Sequence, residues 1–243
     1  MTAPEQRDGA QRAREAATLL AGARALGVPV ADPDAERLLR LLDELTLWNR
    51  AYSLTAVSSR AEMLTHHLLD SLAVAPYLAV PPSQARAPDL AMARDPTMAP
   101  AARVADVGTG AGFPGLPLAV VRPDLHFTLI DSAGKKLRFV AHAARVLGLA
   151  NVQTVQARME DLKPDPPFDT VVARACAALP QLLTLVAPLT GPDTRVLAMK
   201  GRYPDSEIKD VRPPWRVIET VALGVPGLNE ARHLVIVNCR LPP

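Results

Sequence analysis

The amino-acid sequence predicts an α/β fold in which a helical N-terminal extension precedes a seven-stranded, mainly parallel sheet with an antiparallel last strand. From residue 103 onward, short segments rich in β-branched residues alternate with helical segments, which is typical of βαβ units. A cluster of glycines separates the first of these strands from the helix after it. The last two strands are joined by too few residues for a crossover helix, so we expect them to pair antiparallel.

The helical extension is expected to cover residues 1–80. Apolar residues recur at intervals of three and four over 12–26 and 34–49, the pattern of amphipathic helices, and a third helical stretch covers 61–78. Residues 81–102 are rich in proline and alanine and show no periodicity. We interpret them as a linker or an insertion.

Seven strand candidates lie in the remaining domain, residues 103–243. They cover residues 103–107, 126–130, 151–156, 169–174, 194–200, 215–224 and 231–240. Helical segments separate the first five strands, which are therefore expected to run parallel. Open sheets of this kind bind ligands at the carboxyl ends of their strands.

Composition and charge narrow the possible functions. A net charge of +2 and a pI of about 8.7 permit an anionic partner but fall short of the strongly basic profile of a dedicated nucleic-acid module. Cys176 and Cys239 have neither CxxC spacing nor neighbouring histidines, so we expect reduced thiols and no metal site. The N-terminus lacks a signal-peptide pattern, and the chain has no apolar run of about 18 residues. Together these features predict a cytoplasmic protein without a membrane partner.

The segment RVADVGTGAGFPGLP predicts a strand, a tight glycine turn and the start of a helix. Gly108, Gly110 and Gly112 permit positive φ and a close approach of a ligand to the backbone, so we expect a nucleoside-bearing ligand. Spacing alone leaves that ligand open, because Gly110, Gly112 and Gly115 also fit the GxGxxG pattern of dinucleotide-binding turns. A tight turn that binds no ligand is the plainer alternative.

Further features favour S-adenosylmethionine over a dinucleotide. Asp106 precedes the glycines, and Phe113 stands where a dinucleotide turn needs Gly or Ala. An antiparallel last strand is typical of the Rossmann-like fold of class I methyltransferases. Asp131 ends the second strand, where both ligand families place an acid on the ribose hydroxyls. A helix N-cap is the alternative role for Asp131.

Several separate motifs follow one another along the chain. They are WNRAYSLTAV (48–57), EMLTHHLLDSL (62–72), DVGTGAGFPGLPLAVVRPDLHFTLIDSAGKKLRF (106–139), FDTVVARA (168–175), LAMKG (197–201) and NEARHLVIV (229–237). Together they resemble the bacterial glucose-inhibited division protein B family, the small-subunit ribosomal RNA guanine-7 methyltransferases. The resemblance extends from about residue 35 to the end of the chain, and the segment 83–101 looks inserted relative to the family pattern.

This resemblance implies methyl transfer from S-adenosylmethionine to nitrogen 7 of a guanine in the 530 loop of 16S ribosomal RNA. Either the free RNA or the 30S ribosomal particle would be the substrate. The resemblance also implies a cofactor pocket formed by Gly108, Phe113, Met159, Glu160 and Arg174.

The chemistry of such a reaction favours a site without a general base. Nitrogen 7 of guanine carries a lone pair and no proton, so the enzyme mainly has to place the reacting atoms in line. Arg174, at the carboxyl end of the fourth strand, is expected to bridge cofactor and substrate, with a surface salt bridge as its alternative role. Met159 and Glu160 would flank the adenine, and Asp106 would orient the glycine loop or the cofactor amino group.

Five cations are candidates for contacts with RNA phosphates. Lys135, Lys136 and Arg138 lie in the first turns of a helix, where the helix dipole disfavours positive charge, so an anionic partner would explain them. Lys200 and Arg202 follow the fifth strand at the same edge of the sheet. A solvated charge run is the alternative. Because aromatic residues make up only 4% of the chain, we expect one base to be inserted in a pocket rather than a broad stacking platform.

Three other functions stay open. They are a small-molecule methyltransferase on the same fold, a nicotinamide-dependent oxidoreductase suggested by the GxGxxG match at Gly110, and a non-catalytic ribosome-binding protein. His66 and His67 are expected to pack within a helix and at its surface, without a part in the reaction. We expect the protein to be a monomer.

Overall fold

The computed structural model describes residues 3–78 and 102–239, with side chains from residue 9 onward in the first helix. The predicted linker at 81–102 therefore lies outside the described residues except for Ala102, and the segment 83–101 lies wholly outside them. Arg240, the last residue of the predicted final strand, also lies outside.

The first two helices lie against each other. Helix α1 spans Ala3–Ala25, so it begins earlier than the periodic segment that predicted it and ends one residue earlier. Helix α2 spans Asp32–Tyr52 and extends beyond both ends of its predicted segment. The apolar stripe of α2 is buried, as its spacing predicts. Arg12 of α1 forms ion pairs with Glu36 and Asp43 of α2, which connect the exposed sides of the two helices.

The third helical stretch differs from a continuous α-helix over 61–78. It consists of α3 at Arg60–Met63, a π-helical turn at Leu64–Leu69, α4 at Asp70–Leu72 and a 3₁₀ turn at Ala75–Leu78. The backbone N–H of Asp70 donates to the carbonyl oxygen of Thr65, five residues earlier, which is the π-helical pattern. Turns of this kind occur frequently at functional sites.

A seven-stranded sheet forms the centre of the molecule. Its strands are β1 at Arg103–Val107, β2 at His126–Asp131, β3 at Val152–Gln156, β4 at Phe168–Arg174, β5 at Thr190–Lys200, β6 at Trp215–Ala222 and β7 at His233–Cys239. Their order is β3-β2-β1-β4-β5-β7-β6. The first five run parallel, and β7 lies antiparallel between β5 and β6, which confirms the predicted sheet and its closing hairpin. Strand β5 begins earlier than predicted because Thr190 pairs with Phe168 across a register shift.

Helices cover both faces of the sheet. The connections contain α5 at Gly115–Val121, α6 at Gly134–Val146, α7 at Leu179–Val186 and α8 at Asp205–Lys209, with 3₁₀ turns at Met159–Asp161 and Ala187–Leu189. The N-terminal helices, α5 and α6 share one core with Phe127 on the sheet. Helix α7 packs on the other face against Val171 and Val237. The open edge where the parallel strands end is therefore the place for a ligand site.

Candidate active site

The glycine loop follows β1 at the carboxyl edge of the sheet. Gly108, Gly110 and Gly112 all have positive φ, at 64°, 60° and 85°, in the left-handed region that disfavours side chains. The N–H of Thr109 donates to the carbonyl oxygen of Ile130 at 3.1 Å, which ties the loop to the end of β2. A Cβ atom at Gly110 would meet no atom closer than 3.9 Å, so the space beside this residue is open.

Asp106 lies buried beneath this loop. Its Oδ2 atom accepts hydrogen bonds from the hydroxyl of Thr109 at 2.6 Å and from the N–H of Gly115 at 2.8 Å. Its Oδ1 atom has no hydrogen-bond partner among the described residues. Burial raises the pKa of Asp106 to about 6, although both donors act in the opposite direction. The carboxyl group thus holds the loop at both ends and keeps one oxygen available.

Asp131 joins the end of β2 to the glycine loop. Its Oδ2 atom accepts from the N–H of Gly110 at 2.9 Å, and its Oδ1 atom accepts from the N–H of Ala133 at 2.8 Å. Helix α6 begins at Gly134, and Ala133 holds the N-cap position, so Asp131 does not cap the helix as its alternative role would require. The structure therefore brings Asp131 and the glycines together.

Arg174 ends β4 and reaches the N-terminal helical segment. Its Nη1 atom donates to the carbonyl oxygen of His66 at 2.9 Å and to Oδ2 of Asp70 at 3.1 Å. Its guanidinium carbon also lies 5.6 Å from the ring centroid of Phe113. The side chain of Asp70 is only 4% exposed, so this contact is a buried ion pair and not the surface salt bridge considered above.

Asp70 and Arg232 are two site residues that the sequence analysis missed. The Nε atom of Arg232 donates to Oδ1 of Asp70 at 3.0 Å, so the two oxygens of one buried carboxylate hold two arginines. The available signal was an acid next to Leu68 and Leu69 in an otherwise apolar helical stretch, because a buried carboxylate needs a partner.

These side chains surround a cavity of about 480 Å³ at the carboxyl edge of the sheet. It is lined by His66, His67, Asp70, Arg174, Ala175, Met199, Lys200, Gly201 and Arg232. Three of these residues carry positive charge and one carries negative charge. The cavity can therefore accept a polar ligand that presents hydrogen-bond acceptors.

His67 packs against the glycine loop, in agreement with the packing role expected for it. Its ring is stacked on the ring of Phe113, with centroids 4.7 Å apart, and its Nε2 atom lies 3.0 Å from Oγ1 of Thr55. Burial lowers the pKa of His67 to about 4, and the positive charge of Arg174 acts in the same direction. The imidazole is therefore neutral near pH 7. His66 is half-buried and lines the cavity.

Met159 and Glu160 lie in the 3₁₀ turn after β3, at the same edge of the sheet. Met159 is half-buried against the core on the α7 face, as is Cys176. Burial raises the pKa of the Cys176 thiol, and the negative charges of Asp106, Asp131 and Glu160 add to this effect. Glu160 thus lies within electrostatic range of the same thiol as the two loop-binding acids.

The five candidate RNA-binding cations differ in their surroundings. In α6, Lys135 and Arg138 are exposed and Lys136 is half-buried, and Arg202 is exposed after β5. Lys200 is different, because its side chain is only 13% exposed and its Nζ atom donates to Glu207 and to the carbonyl oxygen of Ala177, both at 2.8 Å. The structure places Lys200 in the cavity wall and leaves the other four cations nearer to solvent.

The described residues contain neither a cluster suited to a metal ion nor a helix suited to crossing a membrane. Within 3–78 and 102–239, no group of three or more His, Cys, Asp or Glu side chains is arranged to hold a metal ion. Over the same part of the chain, no helix has the length and apolar character needed to cross a membrane.

A family model described as rRNA small subunit methyltransferase G matches residues 34–86 and 91–235. The chain belongs to this family. Two relatives called ribosomal RNA small subunit methyltransferase G are similar to it over 212 residues, one from Escherichia fergusonii at 40% identity and one from Shigella dysenteriae at 39%. Each alignment covers 87% of this chain and 92% of the relative. Membership of the methyltransferase G family confirms the resemblance seen in the sequence motifs.

Among solved structures, the chain is similar to a SAM dependent methyltransferase from Aquifex aeolicus. The two are 21% identical, with a TM-score of 0.45, and the match covers 57% of this chain and 82% of the other.

Proposed function

We infer that this chain is an S-adenosylmethionine-dependent methyltransferase of 16S ribosomal RNA, and we propose nitrogen 7 of a guanine in the 530 loop as its target. For a chain of this family, one structural observation supports this conclusion. Arg174 lies over Phe113 of the glycine loop and also lines the cavity of about 480 Å³. A single side chain therefore adjoins both the place for the cofactor and the place for the base. The relatives' names supply the RNA substrate, and the protein would act on it in the cytoplasm.

The residues around the glycine loop fit S-adenosylmethionine. Open space beside Gly110 lets a ligand approach the backbone, and Oδ1 of Asp106 is a buried acceptor without a partner among the described residues. We propose that Gly108 and Gly110 adjoin the methionine end of the cofactor and that Asp131 binds the ribose. Met159 and Glu160 would flank the adenine. Gly112 and Phe113 would complete the pocket.

S-adenosylmethionine supplies a methyl group that is already activated on a positively charged sulfur. Nitrogen 7 of guanine needs no deprotonation, and the neutral, buried His67 is suited to packing rather than to proton transfer. The role of the protein is then to hold the base in the cavity, next to Arg174. Asp70 holds Arg174 and Arg232 in the wall of this cavity.

We further propose that a monomer binds the RNA, either free or in the 30S particle, through exposed cations. Lys135, Lys136 and Arg138 at the start of α6 and Arg202 after β5 are the candidates. Lys200 would contribute within the cavity rather than on the surface, because it is paired with Glu207.

The test combines cofactor binding with mapping of the modified base. Purified protein is titrated with S-adenosylmethionine in a calorimeter and is then incubated with 16S RNA or 30S particles from a strain that lacks the gene. Borohydride and aniline cleave the RNA at 7-methylguanine, and primer extension locates the cut. We expect cofactor binding and one new cut in the 530 loop, both absent from controls without protein.

Each competing function predicts a different result. Nicotinamide binding without S-adenosylmethionine binding would indicate an oxidoreductase, and methylation of free metabolites in preference to ribosomal RNA would indicate a small-molecule enzyme. Ribosome binding without methyl transfer would indicate a non-catalytic protein. Loss of methyl transfer in Arg174→Ala, with cofactor and ribosome binding measured in parallel, separates this last function from catalysis.

A further inference from the structure

Arg232 is the residue directly before β7, and two contacts fix its guanidinium group in the cavity wall. Its Nε atom donates to Oδ1 of Asp70 at 3.0 Å, and its Nη1 atom donates to the carbonyl oxygen of Ala231 at 3.0 Å. Asp70 is itself buried and held by Arg174. The plane of the Arg232 guanidinium is therefore set by two acceptors on different parts of the chain.

One donor group of Arg232 is left for a ligand. Within residues 3–78 and 102–239, its Nη2 atom has no hydrogen-bond partner, although the side chain lines the cavity. The other two cations of the cavity are placed differently. Lys200 donates to Glu207 and to Ala177, and Arg174 lies over Phe113 on the side of the glycine loop. Arg232 thus offers a fixed donor in the cavity wall.

A fixed donor at this place can distinguish guanine from adenine. Guanine presents N7 and O6 side by side as acceptors, whereas adenine presents N7 beside an amino group that donates. If N7 is the methylated atom, it must stay free, and O6 is the neighbouring atom that identifies the base. A guanidinium group has donors and no acceptor, so it accepts O6 and leaves an adenine amino group without a partner.

We propose that Arg232, held by Asp70, donates from Nη2 to O6 of the target base and so selects guanine as the methylated nucleobase. This inference rests on the proposed function, because it assumes that the cavity receives the base. Asp70 acts as a positioning residue, since it touches the arginine and not the base. A single hydrogen bond from a charged donor changes affinity by about 10- to 100-fold.

The experiment compares three bases at one position of the RNA. 30S particles are reconstituted from 16S RNA with guanine, inosine or 2-aminopurine at the target. Inosine keeps O6 and N7, whereas 2-aminopurine keeps N7 and lacks O6. For the wild-type protein we expect kcat/KM to be similar for guanine and inosine and about 10- to 100-fold lower for 2-aminopurine.

The decisive quantity is the ratio of guanine to 2-aminopurine in each variant, because the intrinsic reactivity of each base cancels between enzymes. In Arg232→Ala we expect this ratio to fall at least tenfold relative to wild type. Arg202→Ala is the matched control: it also removes one arginine charge, but Arg202 is exposed and is not among the cavity residues. It should lower kcat/KM for all bases equally and leave the ratio unchanged.

Competition binding of the three RNAs, which needs no turnover, provides a second measurement should Arg232→Ala transfer too slowly. Circular dichroism checks that the variant is folded, and Arg232→Lys, which keeps the charge and a donor, should recover part of the ratio. A guanine preference that persists in Arg232→Ala overturns the inference and leaves the methyltransferase function intact. Failure of the wild-type protein to methylate guanine-containing particles refutes the function itself.

Discussion

Gly112 is the glycine at which the structure predicts the largest loss of folding stability on substitution by alanine. Its φ of 85° costs a residue with a side chain about 1–2 kcal/mol. The added Cβ atom would lie 2.4 Å from Cδ1 and 2.8 Å from Cγ of Leu116, and Leu116 is fully buried and so has no solvent to move into. Relieving this overlap costs about 1–3 kcal/mol more. We expect Gly112→Ala to lower the free energy of unfolding by about 2–5 kcal/mol.

Gly148→Ala is the matched control, because Gly148 has a φ of 67° and a Cβ there would meet no atom within 4 Å. Urea unfolding should show a loss of only about 1–2 kcal/mol for this variant. Equal losses in both variants would refute the reasoning, since they would mean that the contact with Leu116 costs nothing. Gly110→Ala should resemble Gly148→Ala in stability but bind S-adenosylmethionine more weakly, because its Cβ would enter the open space beside the loop.

Three further predictions concern charged and titrating groups. Asp131→Ala should weaken cofactor binding at least tenfold, as measured by calorimetry. Lys136→Ala should leave cofactor binding unchanged and should reduce by about one the slope of RNA affinity against salt concentration on logarithmic axes. An equal loss of cofactor affinity in both variants would contradict the assignment. Asp70→Asn should lower kcat, because the substitution weakens the contacts that hold two arginines in the cavity wall. The dissociation constant of the cofactor should stay within about twofold of the wild-type value. A variant with wild-type kcat would count against a positioning role for Asp70. In the folded protein, the pKa of His67 is lowered to about 4 and that of Asp106 is raised to about 6. As pH falls from about 6.5 to 4, the titration of His67 lowers the free energy of unfolding, because the unfolded chain binds the proton more readily than the folded protein does. As pH falls from about 6 to 4, the titration of Asp106 raises the free energy of unfolding, because here the folded protein binds the proton more readily. The free energy of unfolding at pH 4, measured relative to its value at pH 6.5, should be higher in His67→Gln than in wild type. In Asp106→Asn it should be lower than in wild type. Urea midpoints across this range check both signs.

Local patterns were sufficient to predict most of the fold. The helix α2 follows from leucines at helical spacing, and the parallel strands follow from short β-branched segments separated by helices. The glycine loop was also predictable, because Gly108, Gly110 and Gly112 have positive φ angles, which favour glycine over residues with side chains. The domain boundaries proposed from the sequence stay a prediction.

The contacts that complete the cavity depend on long-range packing. Asp70 lies 104 positions from Arg174 and 162 positions from Arg232, so nothing local indicates that the three side chains meet. Lys200 is a similar case, because its Nζ atom contacts the carbonyl oxygen of Ala177, 23 positions earlier, and its partner Glu207 lies in α8, which packs against α7. Periodicity identifies which face of a helix is buried, but it does not identify the charged partners of a buried acid.

The π-helical turn at Leu64–Leu69 determines the direction in which Asp70 projects from this helical stretch. Each residue of an α-helix turns the chain by about 100°, and a π-helical turn contains more residues than an α-helical one. Ordinary α-helical winding of the same residues would therefore rotate Asp70 relative to α3. The wider turn thus sets the position from which one carboxylate reaches both Arg174 and Arg232, and a change that favoured α-helical hydrogen bonds here would weaken two ion pairs at once.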